Sequence, residues 1–182
     1  MSQQIAEEKI ARCKAEKIPY LSLGDLQLDT IPESITELTW IGALTLSRNN
    51  ITNIEVLAPL INIHKLAFAH NNIENIDVIR NFPKLKFLFI KHNNIADLSV
   101  ITHLTKLKKI EANHNDIMSI ESLTHLKELV FLDIAHNKLS EAQALEQIHS
   151  LVWLCTEGNM LNQRQLITSA QTLAKLRHFT YL

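Results

Sequence analysis

The chain has 182 residues, of which 46% are apolar and 20% are charged, and its formal net charge is −1. An apolar fraction of this size indicates a folded core and argues against an intrinsically disordered chain. A net charge near zero argues against a nucleic-acid-binding surface and against a patch attracted to anionic membranes.

The N-terminal segment, residues 1–17, predicts an amphipathic helix. It contains no glycine or proline, and Ala6, Ile10 and Cys13 recur at helical spacing. A secretory signal would need a basic start and an apolar run, whereas this segment is polar and acidic. Cys13 and Cys155 lie near opposite ends of the chain. We therefore expect no disulfide and a reducing, cytoplasmic location, with non-classical export left open.

The middle of the chain repeats itself every 22 residues. Internal repetition at such a period is typical of a solenoid, in which each unit covers the apolar side of its neighbour. Within one unit Leu88 and Ile90 alternate as in a strand, and later apolar residues follow at a spacing of three, which favours a tight 3₁₀ return. The five regular units are 41–62, 63–84, 85–106, 107–128 and 129–150.

An asparagine recurs once in each period. We interpret its side chain as a buried amide that satisfies backbone groups where the strand ends and that bonds the corresponding loop of the next unit. Ligand binding is the less favoured interpretation, because buried polar groups normally have partners within the protein. The column consists of Asn49, Asn71, Asn93, Asn115, Asn137 and Asn159.

The pattern L-x-x-L-x-L-x-x-N-x-I/L resembles the leucine-rich repeat family. Units 41–150 resemble its 22-residue class, typified by a phosphatase regulatory subunit. The first unit, 18–40, contains an Ile-Pro-x-x-Ile run and is similar to a 23-residue class common in bacteria. The resemblance implies an α/β solenoid: a right-handed arc with a parallel sheet on its concave face, an N-terminal helical cap and a C-terminal cap. It also implies regulation or targeting of a partner.

We expect one domain over residues 1–182. It comprises the capping helix 1–17, seven repeats over 18–175 and a half-repeat cap at 176–182. Ser140 and Asn162 each precede a glutamine by three residues, which predicts that both cap true helices.

Four aromatic residues occupy strand positions that point away from the core. Exposed aromatic side chains grouped on one surface often mark a binding site, and we expect these to anchor a partner. The alternative is that the rings pack on one another as a cross-strand ladder. The four are Phe87, Phe89, Phe131 and Trp153.

Charge is divided along the same face. Basic residues occupy its N-terminal half and acidic residues its C-terminal half, a division that would orient a dipolar partner. Lys109, Glu111 and Asp133 are the predicted orienting residues, although a solvated face of mixed charge is an equal alternative. The divided set is Arg48, Lys65, Lys91 and Lys109 against Glu111, Asp133 and Glu157.

Four histidines, His70, His92, His114 and His136, each directly precede a repeat asparagine. Stacked imidazoles could share a transition metal, but no carboxylate or cysteine completes a ligand set at that level, and tandem duplication explains the column more simply. Repulsion between protonated rings near pH 6 is the expected consequence.

The sequence contains no glycine-rich phosphate loop, G-x-S-x-G, H-E-x-x-H or C-x-x-C motif, and it places no histidine beside Cys155 in its own strand. The leading hypothesis is therefore a monomeric, non-enzymatic module that binds a protein or peptide on its concave face and needs no cofactor or metal. The alternatives are a secreted bacterial effector that binds a host protein, and a self-associating structural protein.

Overall fold

The computed structural model describes residues 1–181, which form a single parallel sheet whose eight strands pair in chain order. Each strand has three residues, the middle one packing inward and its two neighbours pointing outward, so that strands repeat with the sequence period. The predicted α/β solenoid arc is confirmed. The strands are Tyr20–Ser22 (β1), Ala43–Thr45 (β2), Lys65–Ala67 (β3), Phe87–Phe89 (β4), Lys109–Glu111 (β5), Phe131–Asp133 (β6), Trp153–Cys155 (β7) and His178–Thr180 (β8).

The returns between strands are mostly 3₁₀ helices, as their spacing of three predicted. Each runs for three to five residues and buries its apolar side against the returns of neighbouring units. Bulky returns on one side and narrow strands on the other bend the stack, with the sheet on the concave face. The 3₁₀ helices are Glu33–Glu37, Glu55–Leu57, Asp77–Asn81, Ser99–Ile101, Glu121–His125 and Gln143–Gln147.

Only one of the two predicted helix caps forms. Asn162 begins helix α2 (Gln163–Gln171) and accepts hydrogen bonds from the backbone N–H groups of Arg164 and Gln165, at 3.0 and 3.2 Å. The prediction for Ser140 was wrong, because the return that follows it is the 3₁₀ helix Gln143–Gln147, which has no side-chain cap. A 22-residue unit leaves little room for α-helical turns, whereas the unit containing α2 is three residues longer.

Both ends of the core are covered. Helix α1 (Ser2–Ala15) buries Ala6, Ile10 and Cys13, as predicted. Beside it, the indole N–H of Trp40 donates to the Ile18 carbonyl at 3.1 Å.

At the other end, the rings of Phe179 and Tyr181 stack at 4.8 Å and pack against the core. The division into two caps and seven repeats stays a prediction. Leu182, the last residue of the proposed C-terminal cap, lies outside the described residues. Within residues 1–181, neither α-helix is long and apolar enough to cross a membrane.

The repeat asparagines join neighbouring units through their side chains. The Oδ1 atom of Asn93 accepts from the N–H of Ile73 at 3.0 Å, while its Nδ2 donates to the carbonyls of Phe68 and Ile90, both at 3.0 Å. Ile73 and Phe68 belong to the preceding unit, so the predicted bond to the next unit was wrong in direction. The backbone N–H of Phe68 already donates forward to Phe89, and it is the inward-pointing carbonyl of Phe68 that the amide satisfies.

We predict that Asn93→Ala lowers the free energy of unfolding by about 1–3 kcal/mol, because it leaves the buried N–H of Ile73 without its acceptor. The carbonyls of Phe68 and Ile90 still accept from Asn71 and Asn115. Chemical denaturation measures the loss. The matched control is Asn94→Ala, since Asn94 is the adjacent residue and is exposed, and a surface change of this kind should stay within about 0.5 kcal/mol. Equal midpoints for the two variants would contradict the role given to the buried amide.

Candidate binding face

The concave face consists of the outward-pointing side chains of the eight strands and of the residues directly after them. On β4, Phe87 and Phe89 are half-buried on either side of the fully buried Leu88. Phe131 and Trp153 occupy the first positions of β6 and β7 and are also half-buried. All four predicted aromatic residues therefore point away from the core, with part of each ring open to solvent.

The aromatic rings and two lysines form a continuous ladder across five strands. The ammonium groups of Lys65 and Lys109 each lie 5.6 Å from the centre of the Phe89 ring. Lys109 also lies 3.9 Å from the centre of Phe131, a cation–π contact, and Phe131 stacks on Trp153 at 4.1 Å with an interplanar angle of 2°. We call these five residues the cation–aromatic ladder. The fourth aromatic residue, Phe87, lies on β4 with Phe89 and is not part of the ladder.

The alternative interpretation of the aromatic residues, that the rings pack on one another across strands, describes a real contact. Phe131 and Trp153 do pack on each other across neighbouring strands, as cross-strand pairs do. This packing occupies the faces of the Phe131 ring and leaves ring edges exposed. Packing and availability for binding are therefore compatible at this site.

The three predicted orienting residues are held by contacts within the face. Glu111 pairs with Lys109 at 2.9 Å and with Lys91 at 3.8 Å. Asp133 accepts from the Asn113 side-chain amide and from the Ala135 backbone N–H. The basic and acidic halves of the face meet at Glu111, where opposite charges offset each other.

A depression of about 330 Å³ lies in the N-terminal half of the concave face. We call it the basic depression, because three cations, Arg48, Lys65 and Lys91, line it against one carboxylate, Glu111. Small side chains, among them Ala67 and Ala69, also line it, and Phe89 links it to the cation–aromatic ladder. The sequence reveals these cations but not the depression, which arises because Ala67 on β3 pairs with Phe89 on β4.

The four histidines stack along one edge of the concave face. Neighbouring ring centres lie 4.2, 4.2 and 4.3 Å apart. The backbone at this level is left-handed, with φ between 52° and 57° at the histidines and 61° at Arg48. The sequence signal for this conformation was the mixture at equivalent positions of Asp25, histidines and Gly158, since glycine, aspartate and histidine tolerate positive φ better than most residues.

The stacked rings are poorly arranged to bind a metal together. Their planes are within 10° to 17° of parallel, so the nitrogen lone pairs, which lie in the ring planes, run side by side and do not converge. Within residues 1–181, no three histidine, cysteine, aspartate or glutamate side chains form a group that could hold a metal ion.

Two histidines of the column, His70 and His92, have lowered pKa values in the folded protein. Burial lowers the pKa of His70, and the positive charges of Arg48 and Lys91 and the His114 ring lower it further. Burial also lowers the pKa of His92, with contributions from the His114 and His70 rings, Lys91 and His136. These groups all favour neutral imidazoles in the folded protein.

Cys155 points toward the concave face but is buried. Burial raises the pKa of its thiol, the negative charges of Asp133 and Glu157 act in the same direction, and a backbone hydrogen bond at Glu157 partly opposes them. A thiol with a raised pKa is a weak nucleophile at neutral pH, in agreement with the sequence analysis.

Solved structures with similar folds identify the architecture. The internalin inlF from Listeria monocytogenes superposes with a TM-score of 0.81 and 26% identity over 86% of this chain. The internalin inlC2 from the same organism gives a TM-score of 0.76 at 20% identity, covering 97% of this chain and 90% of its own. The chain has a leucine-rich repeat fold.

A third structure extends the leucine-rich repeat comparison to plants. The ectodomain of the Arabidopsis thaliana membrane receptor kinase GASSHO1/SCHENGEN3 gives a TM-score of 0.68 and 26% identity over 89% of this chain. This chain spans 47% of inlF and 20% of the plant ectodomain, so both are much longer proteins. No family model and no curated protein matches the sequence, and assignment to the 22- and 23-residue classes stays a prediction.

We predict that acidification from pH 8 to pH 5.5 destabilises the protein. Because folding lowers the pKa of His70 and His92, the unfolded chain binds more protons as the pH falls. The loss begins near the ordinary value of 6.5 and is complete below the folded pKa values. Denaturation midpoints across this range measure it.

The double variant His70→Asn/His92→Asn should reduce this dependence on pH. Asparagine accepts a left-handed backbone and does not titrate in this range. His103→Asn is the control, since His103 is exposed and lies outside the column. A wild-type midpoint that stayed constant from pH 8 to 5.5 would rule out a role of the column in pH sensitivity.

Proposed function

We propose that this protein is a non-enzymatic recognition module that binds a protein or peptide on its concave face. Phe87, Phe89, Phe131 and Trp153 would be the anchors, and Lys109, Glu111 and Asp133 would set the orientation of the partner. The observation that carries the proposal is the stacked Phe131–Trp153 pair, which points away from a core that is already closed.

The energetics of the ladder support a binding role. Large aromatic side chains contribute most to interface affinity when they do not have to be ordered on binding. Phe131 is held between Trp153 and the Lys109 ammonium, at 4.1 and 3.9 Å. A partner that covered the exposed ring edges would therefore remove apolar surface from water at a small additional entropic cost.

The comparison with the plant receptor adds independent support. The structure of its leucine-rich repeat ectodomain was determined in complex with CASPARIAN STRIP INTEGRITY FACTOR 2. A fold of this kind therefore serves to bind another molecule in at least one protein that resembles this chain. We carry over the binding role alone and leave the partner to the chemistry of this concave face.

We further propose that the protein acts as a monomer in a reducing, cytoplasmic compartment. The two cysteines are both free and buried, which is compatible with such a compartment. Sedimentation velocity should give a single species of monomer mass. A stable dimer that Trp153→Ala dissociates would favour the self-associating alternative.

The binding proposal predicts that Trp153→Ala and Phe131→Ala each abolish capture of a partner from lysate and lower the melting temperature by only a few degrees. The loss of one stacked aromatic pair costs about 0.5–1.5 kcal/mol beyond its burial. Tyr20→Ala is the matched control, because Tyr20 occupies the same outward position on β1, is 63% exposed and lies outside the ladder. It should retain capture.

Two results would count against the proposal. Unfolding of the Trp153 and Phe131 variants would make the rings structural. Equal capture by wild type, Trp153→Ala and Phe131→Ala would place binding elsewhere on the molecule.

A further inference from the structure

Two differently built regions of the concave face lie at a fixed separation. The basic depression is formed around β2 to β4, and the exposed ring edges of Phe131 and Trp153 lie on β6 and β7. The first offers cations around small side chains, and the second offers flat apolar surface. A ligand that used both would need two different chemical groups.

The cations of the depression are incompletely neutralised by the protein. Arg48 meets Asp25 at 3.8 Å and Lys91 meets Glu111 at 3.8 Å, both long contacts between partly exposed groups, and such pairs contribute little. Glu111 lies closer to Lys109, at 2.9 Å. Within residues 1–181, Lys65 takes part in none of the ion pairs. Glu111, the one carboxylate in the lining, lies closest to Lys109, which is outside the lining. The three cations of the depression therefore retain positive charge for a ligand carboxylate.

The spacing of the strands sets the length of the ligand. Adjacent strands of a sheet lie about 4.8 Å apart, so Lys65 on β3 is roughly 14 Å from Phe131 on β6 and roughly 19 Å from Trp153 on β7. An extended polypeptide advances by about 3.3 Å per residue. Four to six residues, roughly, would bridge the two regions.

We infer that the ligand is an extended acidic peptide segment of a partner protein, with an Asp or Glu about four to six residues from an aromatic or large apolar side chain. The carboxylate lies in the basic depression against Lys65, Arg48 and Lys91. The apolar side chain covers the exposed edges of Phe131 and Trp153. This inference rests on the proposed function and narrows it to one class of ligand.

The intervening face suits such a segment. The five ladder residues bring alternating ammonium groups and rings along the path between the two regions. Glu111 is paired with Lys109 at 2.9 Å, so it presents less unpaired negative charge to an acidic ligand than Glu157 does at the far end. Attraction is therefore strongest at the N-terminal half of the face, which fixes the direction in which the segment lies.

Selection from a display library of random 12-residue peptides on the immobilised full chain tests the inference. We expect enrichment of an acidic position about four to six residues from an aromatic or large apolar one. Binding of a synthetic peptide chosen in this way should weaken by about tenfold or more with Lys65→Glu, and it should also weaken as salt rises from about 0.1 to 0.5 M.

The matched control is Lys106→Glu, which makes the same change in net charge at an exposed residue of a return, away from the concave face. It should leave peptide affinity within about twofold of wild type. Circular dichroism melting of both variants confirms that each is folded. A selection repeated on Lys65→Glu should replace the acidic preference with a basic one, a result that loss of folding could not produce.

The outcomes separate this inference from the proposal on which it depends. Selected peptides that lack an acidic position, or acidic peptides that bind Lys65→Glu as well as wild type, would overturn the inference. If those peptides still lost binding with Trp153→Ala, the concave-face function would stand. Failure to select any peptide would contradict the inference that the ligand is an extended peptide. The proposed function would then be tested by capture of a partner from lysate alone.

Discussion

The structure depends on one hydrogen-bonded side chain, the asparagine that follows each of the strands β2 to β7. In the unit of Asn93, one amide accepts an N–H from the preceding unit and donates to carbonyls of both units. Five of the six amides are almost fully buried, Asn159 being half-buried, and each has its equivalent one period away. Apolar packing alone would allow one unit to slide against the next, whereas a buried amide bonded to backbone groups of both units fixes the register. The repetition of this bond makes stacking of the units directional.

These asparagines and the repeated leucines and isoleucines close the core. The side chains that differ from one repeat to the next therefore lie on the concave face. Core positions are dictated by the repeat, so they carry little information about function. The outward positions of the strands differ from unit to unit: small on β2, a lysine and an alanine on β3, aromatic on β4, charged on β5, and aromatic again at the first positions of β6 and β7. Each strand of the sheet therefore offers a ligand a different type of side chain at a fixed position.

Period and residue type were sufficient to predict the stack, the 3₁₀ returns, the buried amides and the outward placement of the aromatic rings. The sequence did not reveal which neighbouring unit each asparagine side chain bonds to. That direction depends on which backbone carbonyl is left unpaired by the hydrogen bonds between strands. Ser140 had the spacing of a helix cap, but its unit lacks the three extra residues that give α2 its room. The basic depression required knowledge of register: only the pairing of Ala67 with Phe89 shows a small residue beside a large one. Side chains that are far apart in sequence and neighbours in space define the site, and a single repeat does not reveal them.

The alternation of lysine and aromatic residues also resolves a conflict between solubility and recognition. Four adjacent aromatic rings on an open sheet would form a continuous apolar patch, which favours non-specific association. Lys109, placed between Phe89 and Phe131, divides that patch, and its ammonium group lies close to both rings. The rings keep exposed edges, while charge interrupts the apolar surface every one or two strands. A partner with apolar surface alone would bury these lysines without compensation, and the resulting desolvation cost selects for a ligand that brings its own carboxylate.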